Sequence, residues 1–281
     1  MISLIHALTH DLRTDLTSPR ALHLTSARNP LLREVRKAVV RGTLTDSGYC
    51  VAEGFHLLEE AVRSECQIGA VLASEPVRET VQRRVSGLRS IDVLGVPDEL
   101  FREVSATETS QGVIALVRPR SWELAHVFRA QSLVTVLDGV QDPGNAGAIV
   151  RAAEAFGASG ALFVKGTVSA YNPKAVRASA GSVFRLPLVA QVDTQLAIAA
   201  LRQHRLDLYA AAADDGRTPS DIDLRRRCAL IIGSEGHGIS PALRQAATAV
   251  RIPMVQVESL NAAMAAGILL YEASRQRRQA S

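Results

Sequence analysis

Six short apolar runs in the second half of the chain constrain its fold more than any other feature. They are LVTVLDGV (133–140), ALFVKG (161–166), LPLVA (186–190), DLYAAAA (207–213), CALIIG (228–233) and VRIPM (250–254). Runs rich in Val, Leu and Ile without polar alternation suit strands buried on both faces, the condition of parallel sheets. Helical patterns fill most of the gaps: AGAIVRAAEAFG (146–157), NPKAVRASAG (172–181), TQLAIAALRQH (194–204) and PALRQAA (241–247). Strands alternating with helices predict an α/β layer structure. The last element, LNAAMAAGILLYEASRQRRQ (260–279), begins apolar on nearly all sides. A helix of that kind needs cover on more than one face, which a second copy of the chain supplies; a homodimer is expected.

The first half predicts a smaller α/β domain. RNPLLREVRKAVV (28–40) places Leu31, Leu32, Val35 and Val39 at helical spacing, with Pro30 in the first turn. Strand and helix patterns then alternate: YCVAEG, FHLLEEAVRS, IGAVLAS, ETVQRRVS, SIDVLGVP, DELFREVS and GVIALVRP. The expected organisation is a leader over 1–19 closed by Ser18-Pro19, a first domain over 20–119, a linker over 120–131 and a second domain over 132–281.

With 281 residues the chain has room for two domains. At 47% hydrophobic and 21% charged residues it has a globular composition. No stretch approaches the roughly 18 apolar residues of a membrane span. The start, MISLIHALTHDLRTD, lacks an apolar core of signal-peptide length, so a cytoplasmic location is expected. Cys50, Cys66 and Cys228 are far apart and form no CxxC, which points to free thiols rather than to a disulfide framework or a zinc site. The basic residues are almost all Arg, with Lys only at 37, 165 and 174. The arginine fork suits phosphate. Residues 20–41 hold Arg20, Arg28, Arg33, Arg36, Lys37 and Arg41 against the single acid Glu34. A net charge of +4 is compatible with a nucleic acid but does not establish one.

LIIGSEGHGIS (230–240) invites a hydrolase reading, yet its Gly233 sits directly before Ser234, out of register for the GxSxG elbow. No GK pair exists for a phosphate loop and no GxGxxG for a dinucleotide fold. LDGVQDPGNAGAIVRAAEAFG (137–157) has a strand, an Asp-Pro-Gly-Asn turn and a helix start, whose backbone donors can meet an anion.

Three ordered blocks carry a resemblance: DPGNAGAIVRAAEAFG (142–157), LIIGSEGHGIS (230–240) and IPMVQVESLNAAMAAGILLYEA (252–273). Together they resemble the SPOUT-class RNA methyltransferases of the TrmH type, which transfer methyl from S-adenosylmethionine to a ribose 2′-hydroxyl. YNPKAVRASAGSVFRLP (171–187) is similar to the same family. RNPLLREVRKAV, VAEGFHLLEEA and SQGVIALV resemble its usual RNA-substrate-binding domain. The likeness covers about residues 27–279. The third block differs from the common pattern: Gln256-Val257 lead into Glu258-Ser259-Leu260-Asn261 where a Gly is usual, and NAAMA replaces NVSVA.

The resemblance implies a small N-terminal α/β RNA-binding domain, a C-terminal α/β domain with a trefoil knot, and a dimer. The knot rests on the likeness alone. Asn145 and Arg151 match the first motif, Glu235 the second, and Ser259 and Asn261 the third; these five are the expected catalytic set. Arginine stays protonated. Arg151 is therefore expected to grip the phosphate beside the target ribose rather than to serve as a base; its alternative is an ion pair with Glu154 at i+3. Ser259 could equally cap the following helix. The resemblance gives a cofactor slot from Ala210, Ala211, Ile231, Gly233, Ile252, Met254 and Leu260, with no metal. Candidate RNA contacts are Arg28, Arg33, Arg36, Lys37 and Arg177. Ribosomal RNA is favoured as substrate, since minimal tRNA-acting relatives often lack the front domain. A tRNA enzyme and a catalytically silent RNA-binding relative are the alternatives, and resistance-type rRNA methylation is a narrower case. A nucleotide-binding oxidoreductase is opposed by the missing glycine fingerprint.

Overall fold

The computed structural model describes residues 23–86, 91–213 and 215–279. The expected leader over 1–19 lies outside them. The chain divides into two compact units, Met1–Arg118 and Pro119–Ser281.

The first unit begins with helix α1 (Pro30–Arg41). Asn29 accepts a hydrogen bond from the Leu31 amide at 2.9 Å, Pro30 opens the first turn, and Gly42 closes the helix in the left-handed region at φ 65°. Strand β1 (Cys50–Glu53), helix α2 (Phe55–Arg63), strand β2 (Gln67–Ser74), helix α3 (Arg78–Val85), strand β3 (Val93–Val96), helix α4 (Asp98–Val104) and strand β4 (Val113–Arg118) follow. The sheet order is β1-β4-β2-β3; β4 runs antiparallel to both neighbours, whereas β2 and β3 are parallel. Leu32 and Val35 of α1 are fully buried against Val51, Leu72 and Ile114 of the sheet and Phe101 of α4. Burying side chains of this size contributes roughly 1.5–3 kcal/mol each, so the helical spacing read at 31–39 becomes a packing face.

The second unit begins with a short helix α5 (Leu124–Val127), whose Val127 is fully buried in this unit's core. Then come strand β5 (Leu133–Asp138), helix α6 (Pro143–Ala155), strand β6 (Gly160–Val164), helix α7 (Pro173–Ala178), strand β7 (Leu188–Val192), helix α8 (Thr194–Gln203), strand β8 (Asp207–Ala212), strand β9 (Cys228–Gly233), helix α9 (Pro241–Ala246), strand β10 (Thr248–Arg251) and helix α10 (Ala262–Gln279). The sheet is parallel throughout, in the order β10-β8-β9-β5-β6-β7. All of β5 and β6 is buried, as their unbroken apolar text requires, while the edge strands β7 and β10 are partly open. Parallel strands point their carboxyl ends the same way, so Asp138, Ala212, Gly233 and Arg251 finish at one end of the sheet. Ligands of open α/β sheets bind at that end.

Helix α10 packs on α6 and β9, burying Ala262, Ala266, Leu269, Leu270 and Ala273. Its other side leaves Met264, Ile268 and Tyr271 exposed, near the equally exposed Val255 and Val257 in sequence. No helix of the described residues is long and apolar enough to cross a membrane.

Candidate active site at the carboxyl end of the parallel sheet

Three loops meet at this end. The first follows β5 through Gly139, whose φ of 73° suits glycine. It runs to Asp142, the N-cap of α6, whose carboxylate accepts the Asn145 amide at 2.7 Å. Pro143 occupies the first helical position, so Asn145 lies inside the first turn of α6 rather than in a turn before it. The second loop is 234–238. Ser234 and Gly238 exchange backbone hydrogen bonds at 3.0 and 2.9 Å, and the Ser234 hydroxyl accepts the His237 amide at 3.1 Å. This short hairpin holds Glu235 exposed at its tip. The third is the segment 252–261, which ends at the start of α10.

Asn145 joins all three. Its side-chain amide donates to the Glu235 carboxylate, and its Oδ1 accepts from Asn261 Nδ2 at 2.9 Å. Asn261 Oδ1 in turn accepts the Ala263 and Met264 amides at 2.9 and 3.2 Å. The helix-end donors fix which way Asn261 faces, because only its Oδ1 can accept them. Its Nδ2 must then donate to Asn145, and the Asn145 amino group is left for Glu235. A single consistent chain of hydrogen bonds thus runs from the α10 N-terminus to the Glu235 carboxylate. The expected helix cap is also corrected. Asn261, not Ser259, caps α10; Ser259 is exposed and takes no part in this network.

Arg151 is exposed on α6, six residues beyond Asn145 and so about 9 Å further along the axis. The alternative of an Arg151–Glu154 ion pair does not hold. Glu154 is gripped by Arg185, with Nε to Oε1 at 2.6 Å and a second nitrogen to Oε2 at 2.9 Å. Burial raises the Glu154 pKa, but hydrogen bonds from Arg185 and Ser182 outweigh it and hold the carboxyl below its usual range. The Arg151 guanidinium has neither an ion-pair nor a hydrogen-bond partner among the described residues.

The residues assigned to a cofactor slot fall into two groups. Ala210 and Ile231 are buried neighbours on β8 and β9, with Ile231 in the hydrophobic core, so only their backbone can face a ligand. Ala211, Gly233, Ile252, Met254 and Leu260 are half-buried. Gly233 has a different steric reason from an approach to a ligand. A Cβ there would lie 2.3 Å from the Gly238 carbonyl carbon, so glycine is required by the loop's own backbone. From Met254 to Leu260 no amide makes a backbone-to-backbone hydrogen bond among the described residues.

The proposed RNA contacts also divide. Arg36 is ion-paired with Glu103, and Lys37 with Asp46, whose carboxyl the ammonium holds below its usual range. Arg28 and Arg33 on the first unit and Arg177 on α7 are exposed, and their side chains have no partner among the described residues.

Asp138 was missed in the sequence. It is buried at the end of β5 and its carboxylate accepts the Ser240 amide at 2.6 Å, which fastens the far end of the 234–240 loop to the first. The available signal was an acid ending an apolar strand directly before a glycine.

Comparison with known proteins shows the family. Residues 132–271 match the SpoU rRNA Methylase family, and residues 29–115 match the MRM3-like substrate binding domain. The chain is 30% identical over 248 residues to the 23S rRNA (guanosine(2553)-2′-O)-methyltransferase RlmP of Bacillus subtilis, covering 88% of this chain and 96% of the relative. It is 34% identical over 198 residues to the 23S rRNA (guanosine-2′-O-)-methyltransferase RlmB of Xylella fastidiosa, covering 67% of this chain and 80% of that one. The SpoU methyltransferase AviRb from Streptomyces viridochromogenes, in complex with the cofactor AdoMet, superposes with a TM-score of 0.79 at 29% identity, over 89% of this chain and 99% of its own. An rRNA methyltransferase from Sinorhizobium meliloti gives 0.77 at 29% identity, over 90% and 97%. With the motif residues of three separated loops gathered at one end of a parallel sheet, and likeness along both units, the chain belongs to the SpoU rRNA methylase family of RNA methyltransferases.

Proposed function

We propose that this enzyme methylates a ribose 2′-hydroxyl of 23S rRNA, with S-adenosylmethionine as donor. The observation that carries the proposal is the Asn145–Glu235–Asn261 network, with an uncommitted Arg151 further along the same helix, in a chain collinear with rRNA 2′-O-methyltransferases. The lining fits the donor. Ala211, Ile252, Met254 and Leu260 are apolar and uncharged, and the amides from Met254 to Leu260 are free of backbone partners. An adenosyl group needs such a slot with backbone donors. Once bound, the donor supplies an already activated methyl on sulfur.

The protein's own residues have three tasks. Arg151 binds the phosphate beside the target ribose with its bidentate fork and offsets the negative charge that develops on the 2′-oxygen. Asn145, clamped by Glu235 and Asn261, fixes the start of α6 and so the direction from which Arg151 reaches the RNA. Holding hydroxyl and methyl in line can itself lower the barrier by roughly 7–11 kcal/mol. Ser259 is exposed two residues before Asn261 and is assigned to the substrate by its place in the third motif. Arg28, Arg33 and Arg177 supply phosphate contacts.

The homodimer belongs to the same proposal. Val255, Val257, Met264, Ile268 and Tyr271 form an exposed apolar set on and beside α10, and such patches mark association surfaces. Light scattering is expected to return twice the chain mass. The knot does too. It rests on the family likeness; segment 252–261 leaves the edge strand β10 and ends with Asn261 bonded to Asn145, which follows β5 two strands further in than β8.

The test is a map of 2′-O-methyl sites in total RNA from a deletion strain. Loss of one 23S rRNA site is expected. An unchanged rRNA map with a tRNA site missing would sink the substrate assignment.

A further inference from the structure

The Arg185–Glu154 pair lies outside the site's polar chain and no role described above uses it. Its place on α6 gives it one. Arg151 and Glu154 are three residues apart on the same helix, a spacing at which opposite charges pair. Left alone, Glu154 would be the nearest anion along the helix for Arg151. Instead, both its oxygens are engaged from another segment. Arg185 follows a tight turn over Ser182–Phe184, opened by Gly181 at φ 89°. Its amide and that of Leu186 both donate to the Ser182 carbonyl, at 3.1 and 3.0 Å. The turn delivers both the Arg185 fork and a Ser182 hydrogen bond to Glu154. At 34% and 29% side-chain exposure the pair is better shielded than an open surface pair. A bidentate fork also outcompetes a single contact along a helix.

We propose that Arg185 is a positioning residue for Arg151, acting by occupying Glu154 so that the Arg151 guanidinium stays uncommitted until RNA arrives. The proposal rests on the role given to Arg151 above. It needs no contact between Arg185 and substrate. It predicts that the harm of losing Arg185 is done by Glu154, and that removing the carboxylate undoes it.

The experiment measures kcat/KM for methyl incorporation into unmodified rRNA from the deletion strain, with S-adenosylmethionine affinity by calorimetry and Tm for each protein. The variants are Arg151→Ala, Arg185→Ala, Glu154→Gln and Arg185→Ala with Glu154→Gln. Arg185→Ala is expected to lose about fivefold, the scale of one ion pair, with cofactor affinity unchanged. Glu154→Gln is expected to match wild type. The double variant is expected to recover to within about twofold of wild type by the same scale. If Arg185→Ala does not fold, Arg185→Met, which keeps the aliphatic stem, takes its place in both single and double. A double variant as impaired as the single would overturn the proposal, since a purely structural Arg185 behaves that way; so would a fully active single variant. Wild-type turnover in Arg151→Ala would instead remove the reading on which it stands.

Discussion

The two units are both α/β layers, yet among the described residues the motif residues Asn145, Glu235 and Asn261 come together in the second. In the first, β4 runs against β1 and β2, so successive loops leave from both ends of the sheet. In the second, six strands run the same way and their following loops accumulate at one end. Residues 90 and 116 positions apart in sequence can therefore bond to Asn145. Buried polar groups divide accordingly. In the first unit, Glu53 accepts from the Ser105 hydroxyl, the Ala106 amide and the Thr107 hydroxyl, a carboxylate spent on holding a loop. In the second, Glu235 is offered at an exposed tip with one side-chain partner. The contrast teaches that parallel topology, rather than composition, decides where side chains distant in sequence are brought together.

Predictions can break that contrast, beginning with the largest. Arg151→Ala should cut turnover by about 10²–10³-fold, as for loss of one charge-stabilising group, while S-adenosylmethionine binding by calorimetry is unchanged. A variant that turns over like wild type would move the chemistry elsewhere. Within the second loop, Gly233→Ala forces a Cβ to 2.3 Å from backbone, whereas a Cβ at Gly236 meets nothing within 4 Å. Overpacking against backbone costs about 1–3 kcal/mol, so denaturant midpoints should separate the two; equal midpoints would refute the steric account.

Asn261→Ala removes the α10 cap, worth about 1 kcal/mol, and frees Asn145 from one clamp. Stability and turnover should both fall, and turnover unchanged at reduced stability would separate the cap from the site. In the first unit, Arg28→Ala or Arg33→Ala should each lower the slope of log K against log salt for RNA binding by about one. Arg36→Ala should change it less, because Glu103 already holds that side chain. The smallest effect compares thiols in the two units. Burial pushes Cys50 up to about 12. It pushes Cys228 up to about 11 against the opposing influence of Arg277. A thiol reagent at pH 8 should find only Cys66 in the native protein, and two fast equivalents would contradict that.

Much of this was legible beforehand. The unbroken text of 133–138 and 160–164 implied strands covered on both faces, and both are wholly buried. Pro30 marked the first turn of α1, and the periodicity at 31–39 located its packing face, with Leu32 and Val35 fully buried and Leu31 and Val39 half-buried. These are local signals with local causes. Ser259 illustrates the opposite case. A serine near a helix start is a sound cap by its chemistry, yet Asn261 is nearer and bridges to Asn145. Gly233 was assigned to a cofactor slot by resemblance, and the backbone that approaches it in the structure is that of its own hairpin. The pairing of Glu154 with Arg185 had no local signal, because the spacing favoured Arg151.

By itself the sequence determined the order and type of the elements, the parallel character of the second sheet and the motif residues, since periodicity and capping act over a few neighbours. Tertiary structure decided the partners: Asn145 with Glu235 and Asn261, Asp138 with Ser240, Glu154 with Arg185 rather than Arg151. Those pairings depend on where loops arrive after crossing the sheet. A charged or amide side chain binds whichever partner the fold delivers with the better geometry, and sequence distance does not enter that competition.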